Sequence, residues 1–113
     1  MDYQTLNQEL ESLGTDQNRK IYTRHGVGEN QYGVSFGNLR KLQKQIKRDH
    51  SLAQQLWASG NHDCRVLATM IADPAQSDDP LLESWAQDLD NYVITDAFSG
   101  LASQTSLARE KAE

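Results

Sequence analysis

The chain has 113 residues, of which 37% are hydrophobic and 24% are charged, and its formal net charge is −5. This length suits one domain with a modest core. No stretch approaches the roughly 18 consecutive apolar residues of a membrane-spanning helix, and the single cysteine excludes an internal disulfide and a cysteine-based metal cage. The N-terminal residues 1–4 have no basic stretch followed by an apolar run, so we expect no signal peptide, no membrane partner and a cytoplasmic location.

The charge is distributed unevenly along the sequence. Residues 1–16 contain four acidic and no basic side chains. Residues 17–50 contain eight basic and two acidic side chains, a charge of +6, whereas residues 51–113 contain three basic and ten acidic side chains, a charge of −7. A basic block inside an acidic chain is typical of a protein with an anionic partner. A solvated helix face would give the same charge pattern and is the simpler interpretation of charge alone.

Two short helices are predicted before a glycine-rich loop. Thr15 or Asp16 can cap the second helix, which runs through Tyr22. The first helix ends at Gly14, and its apolar residues follow helical spacing: Tyr3, Leu6, Leu10 and Leu13. The loop is predicted from three glycines, Gly26, Gly28 and Gly33.

Six more helices are predicted near residues 36–48, 51–59, 63–72, 79–89, 91–100 and 105–113. Ser35 and Ser51 are the predicted N-caps of the first two. Asp79 precedes a proline at the first helical position, Asn91 or Asp90 starts the next helix, and Gly100 closes it. One apolar stripe marks the helix after Ser35: Phe36, Leu39, Leu42 and Ile46.

The sequence predicts an all-α fold, because no segment alternates apolar and polar residues over the length of a strand. The six helices form three consecutive antiparallel pairs, and their regular spacing favours a HEAT-type solenoid over a closed bundle. Residues expected to be buried between the pairs are Leu39, Leu42, Ile46, Leu56, Leu67 and Ile71. The last helices are expected to expose an apolar face, through Phe98, Leu101 and Leu107, that a following repeat or a dimer partner would cover.

Two candidate motifs do not support a cofactor or metal site. Residues 26–31 begin like a dinucleotide fingerprint but have Gln31 in place of the third glycine, and no predicted strand precedes them. His62, Asp63 and Cys64 are adjacent, and consecutive helical side chains diverge by about 100°, so the three cannot converge on one metal ion. We therefore expect no metal, and we interpret Cys64 as a small buried apolar residue.

The pair of Tyr92 and Asp96 is the one constellation with candidate chemistry. The two residues are four positions apart and share a helix face. An aromatic ring beside a carboxylate suits a cationic or electron-poor substrate, because the ring face attracts positive charge and the carboxylate stabilises it. From spacing alone, a packed Tyr92 and an ordinary surface Asp96 are the simpler interpretation.

Three segments occur in the order found in the DNA alkylation repair enzymes of AlkD type, and each resembles part of that family. Residues 32–42, YGVSFGNLRKL, resemble its opening helix pair, and residues 56–68, LWASGNHDCRVLA, resemble the next stretch. Residues 85–96, WAQDLDNYVITD, resemble its active-site helix, which usually carries tryptophan where Tyr92 stands.

The resemblance implies a right-handed superhelix of HEAT-like helix pairs, with residues 1–113 forming a single domain that is the N-terminal part of a longer solenoid. It also implies a DNA glycosylase that excises positively charged purines, such as 3-methyladenine and 7-methylguanine, from duplex DNA without metal or cofactor. Asp96 then matches the catalytic aspartate, and Tyr92 the aromatic that contacts the damaged nucleotide. The basic residues expected at DNA phosphates are Arg40, Lys41, Lys44, Lys47 and Arg48.

Two alternatives to the glycosylase remain open. A non-catalytic HEAT-like protein could bind distorted or branched DNA, and a solenoid of this kind could bind another protein. The Tyr92–Asp96 pair favours the glycosylase over the non-catalytic binder, and the basic block favours DNA over a protein partner. The acidic C-terminal half favours a protein partner.

Overall fold

The computed structural model describes the backbone of residues 2–112 and the side chains of residues 2–105. Over that range the chain contains only helices and loops, so the all-α prediction is confirmed. No helix in the described part of the chain is long and apolar enough to cross a membrane. The α-helices are α1 (Tyr3–Leu13), α2 (Asp16–Arg24), α3 (Phe36–Ile46), α4 (His50–Ala58), α5 (His62–Ile71), α6 (Asp79–Ala86) and α7 (Tyr92–Ala112), with a short 3-10 helix, Pro74–Gln76, before α6.

Each α-helix begins at a polar side chain that accepts a hydrogen bond from the first turn. The predicted caps Thr15, Ser35 and Asn91 are confirmed. The predicted cap Ser51 is wrong, because Asp49 accepts from the N–H of Leu52 at 3.0 Å and α4 starts earlier. The cap of α4 is thus two residues earlier than predicted, and that of α6 is one residue earlier, at Asp78 in place of Asp79.

Helix α5 lies at the centre of the fold. Eight of its ten residues are buried, and it packs against α1, α3, α4 and α7. Among the residues predicted to be buried, Ile46 is only partly buried, while the other five are at most 2% exposed: Leu39, Leu42, Leu56, Leu67 and Ile71.

The helices pair differently from the prediction, which joined α3 to α4 and α5 to α6. The most extensive contacts join α4 to α5 and α5 to α7. Only three residues separate α4 from α5, and Gly60 adopts φ +77° there, so the chain turns back sharply and the two helices form the hairpin. A 3-10 helix follows α5 instead and separates it from α6.

The last two predicted helices are one continuous helix, α7, which passes through Gly100 without a break. Glycine inside a helix costs about 1 kcal/mol relative to alanine, and the buried side chains Ile94, Leu101 and Thr105 offset this cost by packing into the core. The expectation that Leu101 is exposed is therefore wrong, and Phe98 is partly buried against the core. The side chain of Leu107 lies outside the described residues.

The loop before α3 is fixed by a buried carboxylate on α5. Asp63, which is 1% exposed, accepts hydrogen bonds from the backbone N–H groups of Tyr32, Gly33 and Val34 at 2.6, 3.1 and 2.9 Å. Gly33 adopts φ +78° and lies so close to α2 that a side chain there would collide with Arg19. These contacts hold the start of α3 against the start of α5.

The two tryptophans form a stack between α4 and α6. The rings of Trp57 and Trp85 are nearly parallel, with an interplanar angle of 3° and centroids 4.4 Å apart. Asp88 accepts a hydrogen bond from Trp57 Nε1 at 2.9 Å, and the Arg65 guanidinium lies 5.1 Å from the centroid of the Trp57 ring. Trp85 is the only fully buried residue of α6, and Leu81 and Leu82 of the same helix are partly buried against the core.

Candidate functional site

A groove of about 240 Å³ lies over α5 between α3 and α7. Its lining combines an apolar floor, which includes Val66 and Met70, with more polar walls. The lining residues are Phe36, Arg40 and Gln43 from α3, Val66, Thr69 and Met70 from α5, and Asp96, Ala97, Gly100, Leu101 and Gln104 from α7. Such a groove can hold a flat, partly polar group against apolar side chains.

The structure brings Asp96 into this groove with its side chain exposed. Asp96 lies on the α7 wall, whereas Arg40 belongs to the opposite wall, on α3. Because both side chains are exposed to solvent, a charged ligand in the groove could be contacted from two sides by opposite charges. The other residues that line the groove are uncharged.

Tyr92 lies at the first residue of α7, one turn before Asp96, and it is 53% exposed. It is outside the set of residues that line the groove. Its hydroxyl makes a hydrogen bond with Nδ1 of His25, and the two rings meet edge to face with centroids 5.5 Å apart. His25 caps the C-terminus of α2, so this contact fixes the α2 end beside the start of α7.

Phe36 forms the α3 wall together with Arg40 and is 56% exposed. The Arg40 guanidinium lies 5.6 Å from the centroid of the Phe36 ring. The predicted apolar stripe is therefore wrong at Phe36. Phe36 and Arg40 are one helical turn apart and share the exposed face of α3, whereas Leu39 and Leu42 face the core. An aromatic residue at the first helical position, beside a basic residue one turn later, was the available sequence signal.

The five predicted phosphate-contacting residues are all exposed, but they do not share one orientation. Lys44 is one turn after Arg40 and on the same side of α3, whereas Lys41 is rotated by about 100°. Lys47 ends the helix with φ +66°. Arg48 donates to the backbone oxygen of Ala72 at 2.7 Å and to Gln104 Oε1 at 3.4 Å, so its guanidinium connects the end of α5 to α7.

Helix α3 carries charge of one sign only, whereas α2 and α5 each contain both acidic and basic side chains. Helix α3 contains three basic residues and no acidic residue, whereas α1 contains Glu9 and Glu11 and α6 contains Asp79 and Glu83. None of these four acidic residues lines the groove. The α3 side of the groove is therefore a positively charged edge, with Asp96 as the acidic group opposite it.

The described side chains contain no group of three or more His, Cys, Asp or Glu residues that could hold a metal ion. Of the three adjacent residues His62, Asp63 and Cys64, Asp63 holds the loop before α3. Burial lowers the pKa of His62, and the nearby charges of Asp63 and Asp90 offset part of that effect. Burial raises the pKa of Cys64 to about 11, which fits its interpretation as a small buried residue.

Comparison with known proteins finds a family model and relatives that match this chain. The family model described as "DNA alkylation repair enzyme" matches residues 6–113. The uncharacterized proteins Lin0241 of Listeria innocua and Lmo0209 of Listeria monocytogenes are each 28% identical over 87 residues, which cover 74% of this chain and 39% of each relative. The chain therefore spans about two-fifths of the length of these relatives.

A solved structure is also similar. It is described as "a new family of proteins related to the HEAT-like repeat DNA glycosylases with affinity for branched DNA structures". The two sequences are 36% identical, and the structures superpose with a TM-score of 0.81. The superposition covers 85% of this chain and 41% of the other chain. The predicted HEAT-like fold is thus confirmed. Since the family model matches nearly the whole sequence, the chain belongs to the DNA alkylation repair enzyme family.

Proposed function

We propose that this chain carries the catalytic groove of a DNA glycosylase that excises positively charged alkylated purines, of the 3-methyladenine and 7-methylguanine type, from duplex DNA. The observation that carries the proposal is the exposed carboxylate of Asp96 in a groove whose opposite wall is basic. The family membership supports it.

The reaction does not need a general acid from the protein, because the alkylated purine is already a cation and can leave without being protonated. The bond between C1′ and the purine nitrogen breaks, and its electron pair neutralises the base. The sugar then develops oxocarbenium character. A water oxygen bonds to C1′ and loses a proton, which leaves an abasic sugar. In this proposal Asp96 stabilises the sugar cation and orients the water. The exposed Tyr92 ring, one turn earlier on α7 and outside the groove itself, contacts the part of the cationic nucleotide that projects beyond it.

The basic edge on α3 supplies the expected phosphate contacts, with Arg40 and Lys44 on the groove side. Such contacts hold the duplex in register without reading its sequence. Double-stranded DNA is therefore the proposed partner. The remaining three-fifths of the relatives' length has no counterpart in this chain, so we propose this role for the whole protein.

The test compares Asp96→Asn with the wild type under single-turnover conditions, following release of 7-methylguanine from methylated duplex DNA. We expect a rate about 100- to 1,000-fold lower, which is the usual effect of losing one preorganised electrostatic group. The matched control is Glu83→Gln on α6, an exposed acid away from the groove, which is expected to keep the wild-type rate. An unchanged rate in Asp96→Asn would refute the catalytic assignment.

A second candidate is a non-catalytic binder of branched DNA. It is favoured by the 36% identity to a protein of a family with affinity for branched DNA structures. A wild-type protein that releases no alkylated base, yet retards a four-way junction more strongly than a linear duplex of the same sequence, would establish this function over the glycosylase.

A further inference from the structure

We propose that Phe36 and Arg40 form a stacking site for an unstacked nucleobase, and that this site distinguishes interrupted DNA from continuous duplex. The inference rests on the proposed DNA binding but not on catalysis by Asp96. Its ligand is a base that has lost its neighbour in the stack, as occurs at a bulge, a branch point or a damaged pair.

The exposure of Phe36 is the first observation. Only three large hydrophobic side chains are exposed in the described part of the chain, and Phe36, at 56%, is the most exposed of them. It belongs to a helix whose other apolar residues pack into the core. Leaving a phenyl ring in water forgoes the stabilisation that its burial would give, so the fold gains little from the aromatic ring at this position.

The neighbours of the ring are the second observation. The Arg40 guanidinium lies 5.6 Å from its centroid, within the range of a cation–π contact. Arg40 is exposed, so it can also contact the phosphate of a base held against the phenyl ring. Lys44, one turn further along α3, extends this positive edge for the following phosphate.

The groove is the third observation. Phe36 and Arg40 line it, and its floor is formed by apolar atoms of Val66 and Met70 on α5. A base that enters edge-first meets the phenyl ring on one side and this floor beneath. A base that is still stacked in a continuous duplex has no free face to offer, so the site contributes affinity only where stacking is already broken.

The experiment measures binding of the whole protein to two short DNA duplexes of the same sequence, one continuous and one with a single unpaired 2-aminopurine. We expect Phe36→Leu, which keeps an apolar side chain but removes the flat ring, to weaken binding of the interrupted duplex by about tenfold. Binding of the continuous duplex should stay unchanged. The aminopurine fluorescence, which stacking quenches, should rise in the complex with Phe36→Leu relative to the wild-type complex.

Two control variants make the result specific. Phe36→Tyr keeps a flat ring and should retain both the preference and the quenching. Ile21→Ala removes an exposed apolar side chain on α2 and should behave like the wild type. Because Phe36 is exposed, melting temperatures should confirm that its variants fold.

The possible outcomes separate this inference from the proposed function. Equal affinity of the wild type for both duplexes, or an equal loss for both in Phe36→Leu, would overturn the stacking site while leaving DNA binding intact. A wild-type protein without affinity for either duplex would overturn both proposals.

Discussion

The carboxylate of Asp63 accepts a hydrogen bond from the backbone N–H of Val34, 29 positions earlier in the chain, at 2.9 Å. Its other oxygen accepts from the N–H groups of Tyr32 and Gly33. Three consecutive backbone donors therefore converge on one buried side chain at the start of α5. This contact fixes the loop that leads into α3 against α5, and so contributes to where Phe36 and Arg40 stand relative to the groove.

Replacing Asp63 by asparagine should lower the free energy of unfolding by about 3 kcal/mol, because the amide keeps one acceptor oxygen and turns a donor toward backbone donors. Urea denaturation measures the loss. The matched control is Asp49→Asn at the α4 N-cap, where asparagine caps as well as aspartate and the change should be small. Equal stability of the two variants would contradict the structural role of Asp63.

The pH dependence of stability should report on His62. Burial lowers the pKa of His62 below its ordinary value of 6.5, with partial compensation from Asp63 and Asp90. Between the lowered pKa and 6.5 the unfolded chain binds more protons than the folded one, so the free energy of unfolding should fall as the pH falls through this window. At higher pH the neutral imidazole is present in both states and the effect disappears.

Denaturation of wild type and His62→Gln between about pH 7.5 and pH 5 checks this dependence. The variant should show a flatter decline in stability toward low pH than the wild type. An identical slope in wild type and His62→Gln would show that His62 does not carry the pH dependence.

The Cys64 thiol should be unreactive in the folded protein. Burial raises its pKa to about 11, and the side chain is 0% exposed, so little thiolate is available to attack an aromatic disulfide reagent. Labelling should be slow in buffer and fast in urea. A Ser51→Cys variant adds a thiol at an exposed position and should show one fast and one slow phase. Fast labelling of the native wild type would contradict the burial.

Charge reversal on the α3 edge should weaken DNA binding regardless of sequence. We expect Arg40→Glu, Lys44→Glu and Lys47→Glu each to lower affinity, and each lost phosphate contact to reduce the slope of log affinity against log salt by about one. Lys20→Glu is the control, because Lys20 is an exposed lysine on α2 and not on the α3 edge. If the triple variant binds as tightly as the wild type, these residues are not in the interface.

Local sequence signals predicted the helices well and their tertiary partners poorly. Ser35 caps α3 as predicted because its side-chain oxygen accepts a hydrogen bond from the backbone N–H three residues later, a local contact. The sequence drew attention to Asp63 only as a neighbour of His62 and Cys64, because its real partners are backbone groups that leave no side-chain pattern. His25 and Tyr92 are 67 positions apart. Gly100 resembled a helix end because glycine has a low helix propensity, which is a property of the sequence alone. The packing of Leu101 into the core, which offsets this low propensity, cannot be read from the sequence.

The stack of Trp57 on Trp85 has a spectroscopic consequence. The chain has two tryptophans, both in this stack, and neither lines the groove. Tryptophan emission from this chain should therefore report on the separation of α4 from α6 as the protein unfolds. A ligand seated in the groove does not touch either indole, so a change in emission on adding DNA would signal movement relayed through α5 rather than direct contact.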